Sequence, residues 1–268
     1  MKNLKYVACL SLGLFIAGCS TVPFTGRSQL SLVDDATLRQ EATLSYKQFL
    51  SDPKTKVVTS GSDAAMVQRV GARISSAIGT YFKENGYGDK YNYDWEFKLV
   101  QDPGINAWCM PGGKVAVFTG LLPVTKTEAA LAAVVGHEIA HAIAQHSAER
   151  VSQMLLAQAG GVAVGAATSG KSETTQAIMN QIYGVGGQLT LLSYGRNQES
   201  EADRMGLIFM AMAGYNPNEA IGFWQRMSQA KEGGGAPPEF LSTHPSDATR
   251  IRNIQKLIPE AMKYYKAQ

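Results

Sequence analysis

The chain has 268 residues, 45% of them hydrophobic, and a formal charge of +3 from 25 basic and 22 acidic side chains. The sequence contains neither a basic tract nor a base-stacking motif, which excludes an ordinary nucleic-acid-binding protein. It shows no internal repeat, so we expect no appended helical-repeat domain. The length is enough for one substantial globular domain after a short leader.

The N-terminus has the pattern of a bacterial lipoprotein leader. Two lysines precede the mainly apolar residues 7–17, a stretch shorter than a membrane span needs. Ile16-Ala17-Gly18-Cys19 then resembles a lipobox, which predicts cleavage before Cys19 and lipidation of that cysteine. The residue after Cys19 is Ser20 rather than an aspartate. By analogy with lipoprotein sorting, this favours the outer membrane as the destination. The alternatives are an uncleaved anchor or an ordinary signal peptide.

The leader divides the chain into three predicted parts. Residues 1–18 are the signal peptide, residues 19–32 a tether that holds the domain off the membrane, and residues 33–268 the folded domain. One cysteine is then removed and Cys19 lipidated, so Cys109 has no partner for an intramolecular disulfide. We expect Cys109 to be a buried, small apolar residue, with an intermolecular disulfide as the alternative.

The first part of the domain alternates between helical and strand patterns. Apolar periodicity predicts helices over residues 34–50 and 64–83. Aromatic and aliphatic residues at every second position predict a strand over residues 91–100, and a second strand follows at residues 114–119.

The most informative stretch is His137-Glu138-Ile139-Ala140-His141, within one helix predicted over residues 127–151. Two histidines four residues apart project from one helix face, where their imidazoles can hold one Zn²⁺. Glu138, beside the first histidine, can accept a proton from a zinc-bound water. The apolar run before the motif predicts that the two histidines and Glu138 are buried. Unpaired polar groups are costly in a buried position, and a metal ion would satisfy them. The alternative is a solvated helix face that carries these residues by chance.

The segment after this helix, residues 152–192, is rich in Ala, Gly, Gln and Ser. It predicts two helical pieces joined by glycines. Because it lies between the two helices that carry candidate ligands, we interpret it as a lid or a membrane-facing loop over the cleft. A loosely packed pair of helices is the alternative.

A third ligand is expected downstream, because catalytic zinc sites use three protein ligands and leave one position open for water. Glu199 and Asp203 lie four residues apart in a helix predicted to run to residue 213, so they share a face. Glu201 points about 200° around the helix from Glu199. We assign Glu199 as the ligand and Asp203 as a carboxylate that orients a ligand histidine. The alternative is an ordinary acidic helix start.

HEIAH and the later ESEADRMG segment, with its E-x-x-x-D spacing, resemble the gluzincin metallopeptidases of the HtpX, BepA and LoiP type. That family is related to the CAAX prenyl endopeptidases and the Oma-type proteases. The resemblance extends to Asn106-Ala107-Trp108, Pro111-Gly112-Gly113, Thr119-Gly120-Leu121-Leu122 and Ser242-Thr243-His244-Pro245. It implies an α+β, mainly helical, zincin-like domain with a small sheet and an HExxH active-site helix.

The resemblance also implies roles for single residues. One Zn²⁺ per chain would be held by His137, His141 and Glu199, with Glu138 as the general base of peptide-bond hydrolysis. His244 precedes a last helix, predicted over residues 247–258. It either occupies the fourth zinc position and keeps the enzyme latent, or stabilises the oxyanion. A structural turn histidine is the third possibility.

Substrate binding is expected at the strands within residues 106–119, where an edge strand beside the metal would pair with an extended peptide. A plain structural hairpin is the alternative. The protein is therefore expected to be a zinc metalloendopeptidase, an outer-membrane lipoprotein that faces the periplasm and removes misfolded or stalled envelope proteins. Expected partners are protein substrates, the membrane through the N-terminal lipid, and the outer-membrane protein assembly machinery. Two other classes stay open: a chaperone-like assembly factor with a latent zinc site, and a structural lipoprotein with an accidental motif.

Overall fold

The computed structural model describes residues 19–91, 93–158, 177, 194–232, 239–244 and 248–267. The fold is mainly helical with two small sheets, as predicted. Predictions for the leader and for most of the Gly- and Ala-rich segment fall outside the described residues. Within these ranges, no helix combines the length and the apolar character that a bilayer crossing requires.

Helices and strands follow one another along the chain, with most of the larger sheet between the second long helix and the HExxH helix. They are β1 (Cys19–Thr21), β2 (Ser28–Leu30), α1 (Asp35–Ser51), β3 (Val57–Val58), α2 (Ser62–Glu84), β4 (Glu96–Val100), β5 (Ala107–Met110), β6 (Lys114–Phe118), α3 (Leu122–Thr125), α4 (Glu128–Ile143), α5 (His146–Gln158), α6 (Arg196–Met212), α7 (Glu219–Glu232), α8 (Glu239–Thr243) and α9 (Ala248–Ala261).

Two elements differ from the sequence prediction. The single helix predicted over residues 127–151 is two helices, α4 and α5, because Gln145 between them takes a φ of 56° in the left-handed region. The strand predicted over residues 91–100 begins only at Glu96. The backbone carbonyl of Asp94 accepts a hydrogen bond from the Lys114 ammonium at 2.7 Å instead of joining the ladder, which begins at Glu96.

The larger sheet has the strand order β3-β4-β6-β5, in which β4 and β6 are parallel and the other neighbours antiparallel. Every residue of β6 is buried because the sheet is covered on both faces. Val115 and Val117 face the main core with α2, α4 and α6, whereas Ala116 and Phe118 face a smaller core with α1 and α5. β5 lies at the edge of the described sheet and packs against α4, so an edge strand runs beside the HExxH helix.

Two glycines let α4 and α6 approach each other backbone to backbone. A Cβ atom at Gly136 would lie 2.8 Å from the carbonyl oxygen of Gly206, and one at Gly206 would lie 2.8 Å from the amide nitrogen of His137. Backbone atoms cannot yield as a flexible side chain would, so both positions require glycine. The close crossing sets the first histidine of the motif directly against α6.

The segment predicted as a tether, residues 19–32, is instead largely a folded hairpin on the domain. β1 and β2 pair in antiparallel register, and Val22 in the turn between them is only 1% exposed. Phe24 stacks on Tyr81 with 4.6 Å between ring centroids. Because Val22 is buried and Phe24 packs, partly buried, against the core, the hairpin is part of the folded unit rather than a free linker.

Candidate metal centre

The structure brings His137, His141, Glu199 and His244 into one buried cluster, in which one ligand atom from each residue lies within 4.8 Å of the others. His137 Nε2 lies 3.1 Å from His141 Nε2 and 3.2 Å from His244 Nδ1. Glu199 Oε1 lies 2.9 Å from His244 Nδ1 and 3.4 Å from His141 Nε2. The three residues predicted as ligands therefore converge, and His244 joins them.

Local sequence explains why α4 presents its histidines inside the protein. The Thr127 hydroxyl caps the helix by accepting a hydrogen bond from the Ala130 amide at 3.1 Å. The small apolar residues that follow bury the helix on nearly all sides. His137 and His141 lie one turn apart and are each 2% exposed, so their ring nitrogens need partners within the protein.

Asp203 and Arg250 hold the His137 side of the cluster. His137 Nδ1 lies 3.0 Å from Asp203 Oδ1, the contact expected of a carboxylate that orients a ligand histidine. Arg250 donates to both Asp203 oxygens at 2.8 and 2.9 Å and lies 2.9 Å from Glu199 Oε2. Burial disfavours the charged form of Asp203, but the Arg250 charge and the His137 hydrogen bond outweigh it and lower the pKa of this carboxyl. Sequence reasoning did not place Arg250 in the predicted site.

A separate group of polar side chains holds the His141 side. His141 Nδ1 lies 2.8 Å from His146 Nδ1, and His146 Nε2 donates to Glu201 Oε2 at 2.9 Å. Arg27 donates to the same Glu201 oxygen at 2.8 Å. Burial of Glu201 is outweighed by hydrogen bonds from His146, Thr25 and Arg27, which lower the pKa of its carboxyl to about 2. Sequence reasoning placed Glu201 away from Glu199, which the structure bears out, but missed its contact with His146.

Glu138 lies beside the cluster with one carboxylate oxygen unsatisfied. Its Oε1 is buried and makes no hydrogen bond to any residue that the structure describes, and His244 Nε2 is 3.4 Å away. Burial raises the pKa of the Glu138 carboxyl. A buried carboxylate with a raised pKa, next to converging ligand atoms, is suited to accept a proton from a water molecule in the cluster.

The donor set fits Zn²⁺, which prefers imidazole nitrogen and carboxylate oxygen in groups of four. Burial lowers the pKa of His141 well below its ordinary range, so this ring is neutral, as a metal ligand must be. For His137, burial opposes the charged form, but hydrogen bonds to Asp203 and Glu199 outweigh it and raise its pKa to about 9. The cluster therefore attracts a positive charge, and a cation can satisfy nitrogen atoms that otherwise face one another.

Two features border the cluster. Cys109 in the edge strand β5 is buried, as expected, and both burial and the nearby Glu138 charge raise the pKa of its thiol. On the other side, a cavity of about 280 Å³ reaches Glu199, Asp203 and Arg250. The cluster thus lies close to an edge strand and to a partly open pocket that borders its carboxylate ligand.

The chain matches known proteins over most of its length. The sequence profile of peptidase family M48 matches residues 63–258. The mitochondrial metalloendopeptidase OMA1 of Schizosaccharomyces pombe is 34% identical over 241 residues, which cover 90% of this chain and 66% of that protein. The human metalloendopeptidase OMA1 is 31% identical over 246 residues, covering 90% and 46%. The beta-barrel assembly-enhancing protease of Yersinia pestis is 32% identical over 176 residues, covering 62% and 36%. The chain thus spans between about a third and two thirds of the length of these relatives.

Proposed function

Because the chain belongs to peptidase family M48, a family of zinc-dependent metallopeptidases, we propose that it hydrolyses internal peptide bonds as a zinc metalloendopeptidase. The observation that carries the proposal is the convergence of His137, His141 and Glu199 beside the unsatisfied Oε1 of Glu138. A ligand set and a proton acceptor are the two parts that this chemistry needs from the protein.

Each residue of the site has a distinct task in this proposal. A bound Zn²⁺ would polarise the scissile carbonyl and acidify water. His137 and His141 would hold it from α4, and Glu199 from α6. Glu138 accepts a proton from the attacking water and delivers it to the leaving amine, a role suited to a carboxyl with a raised pKa. Asp203 fixes the ring of His137.

The substitution Glu138→Gln tests the proposed activity. We expect cleavage of an unfolded protein such as casein to fall by about 100- to 10,000-fold, because proton transfer is lost. Bound zinc, measured by elemental analysis, should remain at one ion per chain. Glu128→Gln is a matched control on the same helix, since Glu128 pairs with Arg69 and accepts a hydrogen bond from Tyr215 and lies outside the cluster. A fully active Glu138→Gln protein, or a wild type without stoichiometric zinc, would refute the proposal.

His244 occupies the ligand cluster in this conformation, and we propose that it is the fourth zinc ligand of a latent state. Its Nδ1 lies 2.9 Å from Glu199 Oε1 and 3.2 Å from His137 Nε2, in the place that an attacking water would need. In that case His244→Ala raises the rate of casein cleavage. If His244 instead stabilises the oxyanion, the same change lowers the rate by about 100- to 1000-fold.

Because His244 occupies the ligand cluster, a second candidate function is also favoured. It is a chaperone-like factor for outer-membrane protein assembly that rarely uses its zinc site. Both candidates share the metal but differ in their need for Glu138. Complementation of a deletion strain under envelope stress separates them. Rescue by Glu138→Gln equal to that by the wild type would favour the chaperone-like role.

For location and substrates, we propose an outer-membrane lipoprotein that faces the periplasm and degrades misfolded or stalled envelope proteins. Support comes from the lipobox pattern that ends on Cys19, which is exposed, and from the beta-barrel assembly-enhancing proteases among the relatives. Fractionation after palmitate labelling tests the anchor: Cys19→Ser should lose label and membrane association, whereas Cys109→Ser keeps both. Proteins that accumulate with Glu138→Gln but not with the wild type identify substrates and partners in the assembly machinery.

A further inference from the structure

Behind His141 lies a second buried polar cluster that includes none of the proposed zinc ligands. It consists of His146 and Glu149 from α5, Glu201 from α6, and Arg27 from the N-terminal hairpin. His146 is 0% exposed, the two glutamates are each 7% exposed, and the Arg27 side chain is partly buried at 29% exposure. Because burying this many ionisable groups is costly, their arrangement calls for a physical reason.

The direction of the hydrogen bonds supplies that reason. His141 faces the ligand cluster with Nε2, so Nε2 must keep its lone pair for the metal and the ring proton must sit on Nδ1. That Nδ1 proton needs an acceptor, and His146 Nδ1 lies 2.8 Å away. His146 can accept there only if its own proton is on Nε2, where Glu201 Oε2 receives it at 2.9 Å. Each proton position in this series depends on the next partner.

Arg27 fixes the last member of the series. Its Nε donates to Glu201 Oε2 at 2.8 Å, and its two terminal nitrogens bind the Glu149 carboxylate at 2.8 and 3.0 Å. Gln198 from α6 also donates to Glu149, at 2.7 Å. Arg27 therefore joins the hairpin to α5 and α6 and keeps the Glu201 oxygen turned toward His146. It lies outside residues 63–258, the part of the chain that matches the family profile.

We propose that Arg27, Glu201 and His146 form a positioning relay that sets the tautomer and ring orientation of His141, which makes the N-terminal hairpin a working part of the metal site. The inference rests on the proposed function in one respect, that His141 binds zinc. It assigns the hairpin a role in zinc affinity rather than in membrane attachment alone. None of the three relay residues needs to contact the substrate.

Zinc affinity of the purified full chain tests the relay, measured by competition with a chromogenic chelator at neutral pH. His146→Phe keeps the ring shape but leaves His141 Nδ1 without an acceptor, and we expect about 10- to 100-fold weaker zinc binding. His146→Asn places an amide oxygen near the former Nδ1 position and should recover most of that loss. Arg27→Met should weaken binding by a smaller factor. Arg204→Met is the control, because it also removes an arginine–glutamate pair from α6 but at the surface.

A double substitution examines the proton order itself. In Glu201→Gln, Arg27 should keep the amide oxygen turned toward His146, so zinc affinity changes little. When Arg27→Met is added, the amide can turn and donate to His146 Nε2, which reverses the proton order. The double variant should therefore bind zinc more weakly than the product of the two single effects. This pair also replaces His146→Phe if that variant does not fold, as judged by circular dichroism.

The outcomes separate the relay from the proposed activity. If folded His146→Phe and the double variant bind zinc as tightly as the wild type, the relay is wrong even when the wild type cleaves casein. If His146→Asn is no better than His146→Phe, the ring fills space and the relay is equally wrong. If the wild type binds zinc but cleaves nothing, the proposed activity fails, while the order of zinc affinities still decides the relay. The d–d spectrum of the Co²⁺-substituted protein should shift in the variants that weaken binding and not in Arg204→Met.

Discussion

The four residues of the metal cluster fall into two groups that differ in how the fold holds them. His137, His141 and Glu199 lie on two long buried helices that cross at a pair of glycines, and each has another buried polar partner. His244 follows α8, a helix of five residues, and its ring contacts described in the structure are to site residues, Tyr194 and Phe240. The difference teaches that three cluster residues are oriented by long buried helices with their own polar partners, whereas the fourth is held by a short segment.

The largest expected effect contrasts one ligand from each group. His141→Ala removes a ligand held by the scaffold, so zinc affinity should fall by more than about 100-fold, beyond the usual effect of losing an orienting partner. His244→Ala should leave stoichiometric zinc in place, because three protein ligands suffice for a catalytic site. Chelator competition measures both variants. Equal loss of zinc in both would remove the distinction between the two groups.

The glycine crossing offers the next largest effect. In Gly206→Ala, the new Cβ would lie 2.8 Å from the amide nitrogen of His137, so α4 and α6 must move apart. We expect the free energy of unfolding to fall by about 3 kcal/mol, as for overpacked cores, and zinc affinity to fall with it. Gly79→Ala in α2 is the matched control, since its Cβ meets nothing within 4 Å. That change should stabilise the helix by up to about 1 kcal/mol. Urea unfolding measures the free energy of unfolding of both variants. If Gly206→Ala is as stable as the wild type, the helix crossing does not require glycine.

The same contrast explains what could be predicted from the sequence. His137, Glu138 and His141 lie within five residues, and the helical period alone places both histidines on one face. Glu199 and Asp203 follow the same rule on their own helix. The partners Arg27 and Glu201 are 174 residues apart, and no local period links them. Sequence reasoning also treated residues 19–32 as a linker, because a hairpin this short owes its stability to packing of Val22 and Phe24 against distant elements.

The break between α4 and α5 shows a similar limit. Residues near Gln145 have ordinary helical propensity, so the pattern predicted one continuous helix. In the fold, the left-handed turn at Gln145 lets the His146 ring meet the His141 ring with 4.9 Å between centroids. A tertiary contact therefore decides the local backbone, and only the concentration of three of the four histidines between residues 137 and 146 signals it in the sequence.

The contacts of Glu201, behind His141, should make the free energy of unfolding depend on pH. The pKa of Glu201 is lowered from 4.5 to about 2 in the folded chain, so its ionised form stabilises the fold above pH 4.5, and this stability is lost as the pH falls toward 2. Glu201→Gln should lower the free energy of unfolding of the zinc-free protein by on the order of 2 kcal/mol at neutral pH, and the difference should vanish in acid. Urea titrations across this range measure it. Glu260→Gln, which breaks the surface pair with Arg204, should show a much smaller pH-dependent difference.

Arg250 provides the smallest expected effect and joins the two groups. It belongs to α9, after His244 in the chain, yet its guanidinium holds Asp203 with two nitrogens, contacts Glu199 with a third, and lies 3.6 Å over the Trp224 ring. A lysine keeps the charge but cannot make these planar contacts together, so Arg250→Lys should weaken zinc binding by about fivefold. Arg252→Lys on the exposed face of α9 should have no effect. Unchanged zinc affinity in Arg250→Lys would mean that the ligands on α4 and α6 need only a nearby positive charge. The arrangement of these ligands would then be independent of the chain that follows His244.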